Sequence, residues 1–239
     1  MKALFALFLP VLLFFLPNAA RADCVNPAGV EANIIYNKAY RVYQFCDGTD
    51  WMSMAAGIRY VVGGNPPTDC PNVGDVCSDG TVFAGLDGGA ALYVPRCDAG
   101  MAWSGASCTG GRSAIPWNNG NGMGYPSTGA TNNNGAVNTA TLIAIDADSG
   151  TAGVQPHQAA RYCADAIYNG KDDWYLPSKN ELHIFVGNKD AIGNFDVSGL
   201  YYWSSSEQSQ TYAWIERPSD GNQTNNLKYA GYAIRCARR

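Results

Sequence analysis

Alternation of apolar and polar residues predicts short strands near both ends of the chain. Residues 33–37 (NIIYN) and 40–45 (YRVYQF) alternate around a turn at Lys38-Ala39, which favours a small β unit over residues 23–57. Further strand-like runs occupy residues 58–62, 81–86, 91–94, 200–204, 211–216 and 228–236. No stretch repeats with the period of a solenoid or a propeller.

Two segments carry helical spacing instead. Small and apolar residues recur every three or four positions over residues 158–167 (QAARYCADAI), and Gly170 follows as a stop signal. A second helix is predicted to begin at Ser178, because Ser178 and Glu181 have the spacing of a capping box ahead of an apolar stripe. The chain is therefore expected to adopt an α+β fold.

Residues 104–140 are dense in Gly, Asn, Ser and Thr, yet Trp117, Met123 and Tyr125 are embedded among them. Long segments of this kind in compact domains usually carry function or are disordered. The aromatic residues favour a loop that is pinned to the domain over a free linker.

The first 22 residues have the pattern of a signal peptide. Lys2 precedes an apolar run over residues 3–16, and Ala20-Arg21-Ala22 has the small-x-small pattern of a cleavage site. The run is shorter than the roughly 20 apolar residues of a membrane helix, and no other stretch is apolar enough to span a bilayer. We expect export, followed by the small β unit and a main domain over residues 58–239.

Charge argues against a polyanionic partner. Removing residues 1–22 leaves 14 Lys and Arg against 20 Asp and Glu, a net charge of −6. Such an acidic chain is a poor binder of nucleic acid. Only the end is basic, through Arg235, Arg238 and Arg239, and these are interpreted as a solvated terminus.

Eight cysteines in an exported chain predict four disulfides, among 105 possible pairings. Their spacing suggests the pairs Cys24–Cys46, Cys70–Cys77, Cys97–Cys108 and Cys163–Cys236. A structural zinc site is disfavoured, because the chain has no C-x-x-C pair and only two histidines.

The residues offer little sign of catalysis. His157 and His183 lie outside any nucleophile motif and are interpreted as structural or surface residues. A glycosidase needs two acids across a cleft. Asp172 and Asp173 lie close to Glu181 in sequence, but Glu181 is already assigned to the helix cap.

Two short motifs resemble ligand loops. Residues 146–150 (DADSG) resemble the start of a calcium loop, but His157 occupies the position where that loop needs Glu. Calcium stays an open alternative, and no other cofactor is expected. Residues 120–124 (GNGMG) lack the Lys and the strand–helix context of a phosphate loop.

Aromatic residues near the end of the chain give the strongest binding signal. Sugars stack on the faces of Trp and Tyr rings, while amide side chains read their hydroxyls. The candidate ligand-binding residues are Tyr201, Trp203, Tyr212, Trp214, Asn222 and Asn225. The competing interpretation places Trp203 and Trp214 in the core and assigns the Asn residues to turns.

Motifs over residues 158–239 resemble those of one family, with a looser likeness back to about residue 77. Residues 173–182 (DWYLPSKNEL) resemble its D-W-x-L-P-[ST]-x-x-E-L, and residues 202–206 (YWSSS) its Y-W-S-S-S. Ala213-Trp214 and residues 235–238 (RCAR) resemble the rest. The family is the C-terminal domain of the Legionella collagen-like adhesin. Tyr175 stands where this family more often has Arg.

The resemblance implies a C-type-lectin-like fold, in which two helices flank a small twisted antiparallel sheet and long loops present ligand contacts. It also implies a bridge from the first helix to the last strand, which supports the pair Cys163–Cys236. Lectin-like folds can bind calcium through Trp-Asn-Asp-like triplets, to which residues 117–119 (WNN) are distantly similar. The named adhesin attaches through sulfated glycosaminoglycans, a ligand class that a net charge of −6 does not suit.

We therefore expect a secreted, periplasmic or cell-surface domain that binds a glycan or a protein surface without catalysis. One alternative is a lectin-fold enzyme of the formylglycine-generating type, which has a string similar to residues 176–182 and needs reactive cysteines near the chain end. Another is a structural subunit, in which residues 23–57 drive assembly of a homo-oligomer.

Overall fold

In a computed structural model, the described residues are 34–37, 42–46, 51–53, 67–119, 127–130, 133–147 and 156–239. The chain divides into two compact units, Met1–Gly63 and Gly64–Arg239. In the first unit, strands β1 (Ile34–Asn37), β2 (Val42–Cys46) and β3 (Trp51–Ser53) form an antiparallel sheet in that order. The strands predicted at 33–37 and 40–45 are thus present. The predicted strand at 58–62 lies outside the described residues.

The second unit mixes helices with small antiparallel sheets. Its elements are β4 (Val82–Asp87), β5 (Ala90–Val94), β6 (Ala102–Trp103), β7 (Cys108–Thr109), β8 (Ile115–Pro116), α1 (Gly135–Ala147), α2 (Gln158–Ala164), α3 (Lys179–Gly187), α4 (Lys189–Ile192), β9 (Tyr202–Glu207), β10 (Tyr212–Arg217), β11 (Asn222–Leu227) and β12 (Gly231–Tyr232). The strands pair as β11-β10-β9, β4-β5, β6-β7 and β12-β8. The α+β class is confirmed.

Helix α3 begins as its sequence predicts. The Ser178 hydroxyl accepts a hydrogen bond from the Glu181 N–H at 3.2 Å, and the Glu181 carboxylate accepts one from the Ser178 N–H at 2.7 Å. Leu182, Phe185 and Val186 are buried. They form one hydrophobic cluster with side chains of β4, β5 and β9, so the capping box sets the direction in which the apolar stripe enters the core.

Several elements were not predicted from the sequence, among them helix α1 and strand β11. Helix α1 lies partly within the segment expected to be loop, and β11 consists almost wholly of polar residues (NQTNNL). The strand predicted at 228–236 is wrong: β11 precedes it, and only Gly231–Tyr232 within it form a short strand. A strand is favoured at β11 because each of its six residues pairs with one of β10.

Three disulfides link described cysteines: Cys70–Cys77, Cys97–Cys108 and Cys163–Cys236. These are three of the four pairs that the spacing suggested. The fourth, Cys24–Cys46, falls outside the residues whose side chains the structure describes. Cys163–Cys236 ties α2 to the end of the chain inside the main hydrophobic cluster.

The Gly- and Asn-rich loop is pinned where Trp117 enters the core, as predicted. The Trp117 indole is fully buried and donates to the carbonyl of Ser204 at 2.9 Å. The Lys228 ammonium lies 4.6 Å from the centre of its ring and pairs with the buried Glu207 carboxylate. Glu207 also accepts a hydrogen bond from the Thr128 N–H at 2.9 Å. Met123 and Tyr125 lie outside the described residues.

A buried ionic network corrects the view of the chain end as a solvated terminus. Arg235 is fully buried, and its guanidinium contacts Asp98, whose side chain is also fully buried. Asp98 accepts further hydrogen bonds from Arg112 at 2.5 Å and from the Tyr202 hydroxyl at 2.6 Å. Arg238 and Arg239 form ion pairs as well. The basic end is therefore part of the framework.

Within the described part of the chain, no helix is long and apolar enough to cross a membrane.

Candidate functional site

The β10–β11 hairpin sends the predicted ligand-binding residues to different faces. Neighbouring residues of a strand point to opposite sides of its sheet. Trp214 lies opposite Asn225, whereas Asn222 lies opposite Arg217. Arg217 follows Trp214 by an odd number of positions along β10, so their side chains point to opposite sides. Trp214 and Asn225 therefore share one face with Tyr212, and Asn222 belongs to the other face.

Trp203 is a correction. Its side chain is fully buried, and its indole N–H donates to the carbonyl of Ile115 at 2.9 Å. Tyr232 packs against it edge-on, with 5.0 Å between ring centres. Trp203 has no exposed surface to offer a ligand, because β9 runs through the core.

The face that carries Trp214 combines rings with amides; we call Tyr212, Trp214, Gln223 and Asn225 the aromatic–amide face. Tyr212 is 39% exposed, and the other three are half-buried. The Lys179 ammonium lies 4.0 Å from the centre of the Trp214 ring. This cation–π contact orients the indole beside the amides.

A buried acid borders this face. Glu216 is fully buried, and its carboxylate lies 2.7 Å from Nδ1 of His183, whose side chain is 66% exposed. The Gln223 amide donates to Glu216 at 3.2 Å and to the carbonyl of Lys179 at 3.0 Å. Burial raises the pKa of Glu216, and the hydrogen bond from His183 partly offsets that effect. These contacts join α3 to the hairpin and fix the Gln223 side chain.

The opposite face holds Tyr201 and Asn222. The Asn222 amide donates to the Tyr201 hydroxyl at 3.3 Å. The Arg217 guanidinium lies 5.0 Å from the centre of the Tyr201 ring and pairs with Asp220. Contacts within the protein occupy these polar groups, so this cluster is a weaker candidate than the aromatic–amide face.

Sequence reasoning missed the exposed indole of Trp103. It is 38% exposed on the β6–β7 hairpin, and the Arg96 guanidinium lies 4.7 Å from its ring centre. It lines a cleft of about 470 Å³ together with Tyr168 and Ile167, and those two residues also line a second cleft of about 630 Å³. The available signal was its place in a short polar loop closed by Cys97–Cys108, which is too small to bury an indole.

One family model covers the part of the chain that carries these motifs. A sequence model described as the Lcl C-terminal domain matches residues 96–238, more than half of the chain. The chain belongs to this family. No curated protein matches it. As a member of the Lcl C-terminal domain family, it is an adhesin-like domain.

Glu181 of the family motif holds together four parts of the Lcl C-terminal domain. Besides capping α3, its carboxylate accepts hydrogen bonds from the Gly135 N–H at 2.9 Å and from the Tyr175 hydroxyl at 3.0 Å. Arg239 donates to it at 2.8 Å. The Tyr175 hydroxyl and the Arg239 guanidinium at the chain end thus both donate to Glu181.

The motifs considered for catalysis or metal binding have structural partners. Asp173 pairs with Arg238, and Glu181 is enclosed in its cap, so these acids do not face each other across a cleft. Asp69, Cys70 and Cys77 lie close enough together to hold a metal ion, but the two sulfurs form a disulfide. Of residues 146–150, Asp148 and Gly150 lie outside the described residues.

The Asp146 carboxylate contacts His157. His157 is fully buried and lies 2.7 Å from Asp146 through Nδ1, and its backbone N–H also donates to that carboxylate. Its ring meets Trp117 edge-on, with 5.3 Å between ring centres. Burial lowers the pKa of His157 despite the contact with Asp146.

The neutral state of buried His157 predicts acid sensitivity. The unfolded chain takes up a proton at this position below about pH 6.5, whereas the folded chain resists it. The stability is thus present above that pH and lost as the pH falls, with a slope of at most about 1.4 kcal/mol per pH unit. Urea unfolding at several pH values should show a weaker acid dependence for His157→Asn, whose amide can still donate to Asp146. An equal dependence in both proteins would contradict this role.

Proposed function

We propose that this chain is an exported, non-catalytic recognition domain of C-type-lectin-like fold, and that its aromatic–amide face binds an extracellular glycan. Its adhesin-like family and its disulfides are compatible with an extracellular location. The link from α2 to the chain end through Cys163–Cys236 supports the lectin-like assignment. The N-terminal signal peptide would supply the route of export.

The observation that carries the proposal is the composition of the face. Tyr212 and Trp214 provide ring surface, and Asn225 provides an amide donor and acceptor beside it. Gln223 adds its amide oxygen as an acceptor, because its N–H groups already donate to Lys179 and Glu216. Rings and amides suit the apolar faces and the hydroxyls of a sugar. Gln223 is held by Lys179 and Glu216, so part of the site is ordered before a ligand arrives.

The enzyme alternative has less support. An enzyme of the formylglycine-generating type needs reactive thiols near the chain end, but Cys236 is bonded to Cys163. The alternative in which residues 23–57 drive assembly of a homo-oligomer stays a prediction.

The proposal predicts that Trp214→Ala weakens glycan binding by about two- to twelvefold, taking for the stacked ring the roughly 0.5–1.5 kcal/mol of an aromatic contact. The measurement is binding of the purified protein to an array of neutral and acidic oligosaccharides, followed by titration of the glycan retained. Calcium is added in one arm and chelated in another. Asn225→Ala should weaken binding in the same direction with less effect on packing.

Trp103→Ala is the matched control, because it removes another half-exposed indole away from this face. It should bind as the wild type does. A loss confined to Trp103→Ala would move the site to the Trp103 cleft. Retention by immobilised matrix proteins without binding to any oligosaccharide would replace the glycan with a protein ligand.

A further inference from the structure

Strand β11 forms an unusually plain sheet edge. In the described part of the molecule it is the outer strand of the sheet β11-β10-β9. Its six pairs with β10 run from Tyr212↔Leu227 to Arg217↔Asn222 without a bulge. Exposed edges are usually protected by Lys, by Pro or by a bulge. Residues 222–227 (NQTNNL) contain no Pro and no charged residue.

The hydrogen bonds between β11 and β10 show which backbone groups of β11 face away from the sheet. The N–H of Lys228 donates to the carbonyl of Thr211 at 3.1 Å, so residue 228 faces β10, and by alternation so do residues 222, 224 and 226. Gln223, Asn225 and Leu227 therefore direct their backbone groups away from β10. The N–H of Leu227 already donates to the Asn226 side chain at 2.7 Å. The outward amides of Gln223 and Asn225 are left without a partner among the described contacts.

We propose that two copies of this chain pair through β11, in antiparallel orientation about a two-fold axis at Thr224. In this register Gln223 of one copy lies opposite Asn225 of the other, so every free outward N–H meets a free carbonyl. A register centred on Asn225 would instead set Gln223 against Leu227, whose N–H is occupied. A two-fold interface uses the same patch on both subunits, and this patch brings no two charged strand residues face to face.

Pairing would extend the three strands into a sheet of six. The two Trp214 side chains would lie on the same side of that sheet, with three strand spacings of about 4.8 Å between their strands. The dimer forms without a ligand, but the gain in glycan binding that follows from it rests on the proposed function. A dimer would present two aromatic–amide faces together and bind a repeating glycan with higher avidity.

Thr224→Cys tests the axis directly. Residues that face each other without mutual hydrogen bonds in an antiparallel pair have Cα atoms about 4.5 Å apart, within the range that a disulfide spans. The oxidised variant should form a covalent dimer whose cross-linked peptide mass spectrometry identifies as residue 224 joined to residue 224. Asn222→Cys is the matched control, because it faces residue 226 of the second copy and should stay unlinked. Wild-type protein should sediment as a dimer.

Introducing a charge at position 224 provides the second test. Thr224→Lys and Thr224→Glu each place like charges opposite each other and should sediment as monomers, whereas an equal mixture should recover the dimer. Monomeric wild type together with equal cross-linking of Thr224→Cys and Asn222→Cys would overturn the proposal. A dimer that persists in Thr224→Lys would place the interface elsewhere and overturn it as well. Oligosaccharide titration of Thr224→Lys separates the two proposals, because a monomer should still bind one glycan.

Discussion

Asp98→Asn should destabilise the protein by about 3–5 kcal/mol, the range for leaving one partner of a buried ion pair uncompensated. The Asp98 carboxylate accepts from Arg235, Arg112 and Tyr202, and both it and Arg235 are fully buried. Asparagine keeps the shape but not the charge, so the buried guanidinium of Arg235 loses its counter-ion. The free energy of unfolding in urea measures the effect.

Asp220→Asn provides the control, because Asp220 is an exposed carboxylate that also pairs with an arginine, Arg217. Its unfolding midpoint should stay close to that of the wild type. The double variant Asp98→Asn, Arg235→Met should be less destabilised than the sum of the single variants, since it leaves no orphaned Arg235 charge. Additive losses, or a mild effect of Asp98→Asn alone, would show that this network is not a main support of the fold.

Replacing Cys163 and Cys236 by Ala should cost about 4 kcal/mol. Their sequence separation is 73 residues, and the loss of unfolded-state entropy grows with the length of the closed loop. The same replacement at Cys70 and Cys77, which are seven residues apart, should cost about 2 kcal/mol by the same relation. Urea unfolding of both double variants tests the order. A larger loss at the short loop would contradict the chain-entropy explanation.

The sequence predicted those elements whose local signals agree with their tertiary role. The start of α3 was readable because Ser178 and Glu181 form a capping box ahead of buried apolar residues. The disulfides were readable because short spacings restrict which cysteines can meet. The apolar runs of β4, β5 and β10 were likewise readable as strands, and β4 buries its first four residues.

Missed elements such as β11 and α1 depend on contacts that lie outside their own segments. Strand β11 has low intrinsic β-propensity, and its conformation follows from pairing with β10. Helix α1 begins at a glycine and lacks acidic residues in its first turn. It is anchored by buried contacts, such as the hydrogen bond from the Asn138 amide to Ser205. No local pattern reports such contacts.

The candidate site was predicted only in part for the same reason. Aromatic and amide residues were visible in the sequence, but their division between faces depends on the register of the hairpin. Trp203 and Trp214 look alike in sequence, yet one lies on a fully buried strand and the other on a hairpin near the sheet edge. The ionic partners of Arg235 and of His183 were invisible because 137 and 33 residues separate them from Asp98 and Glu216.

The most direct measurement of the central claim is a nitrogen–proton NMR titration of the protein with the oligosaccharide that binds best. The chain has six tryptophans, whose indole N–H signals can be assigned by substitution. We predict that the signal of Trp214 and the side-chain amide of Asn225 shift together, while the buried indoles of Trp117 and Trp203 stay in place. A shift confined to Trp103, with Trp214 unchanged, would contradict the account.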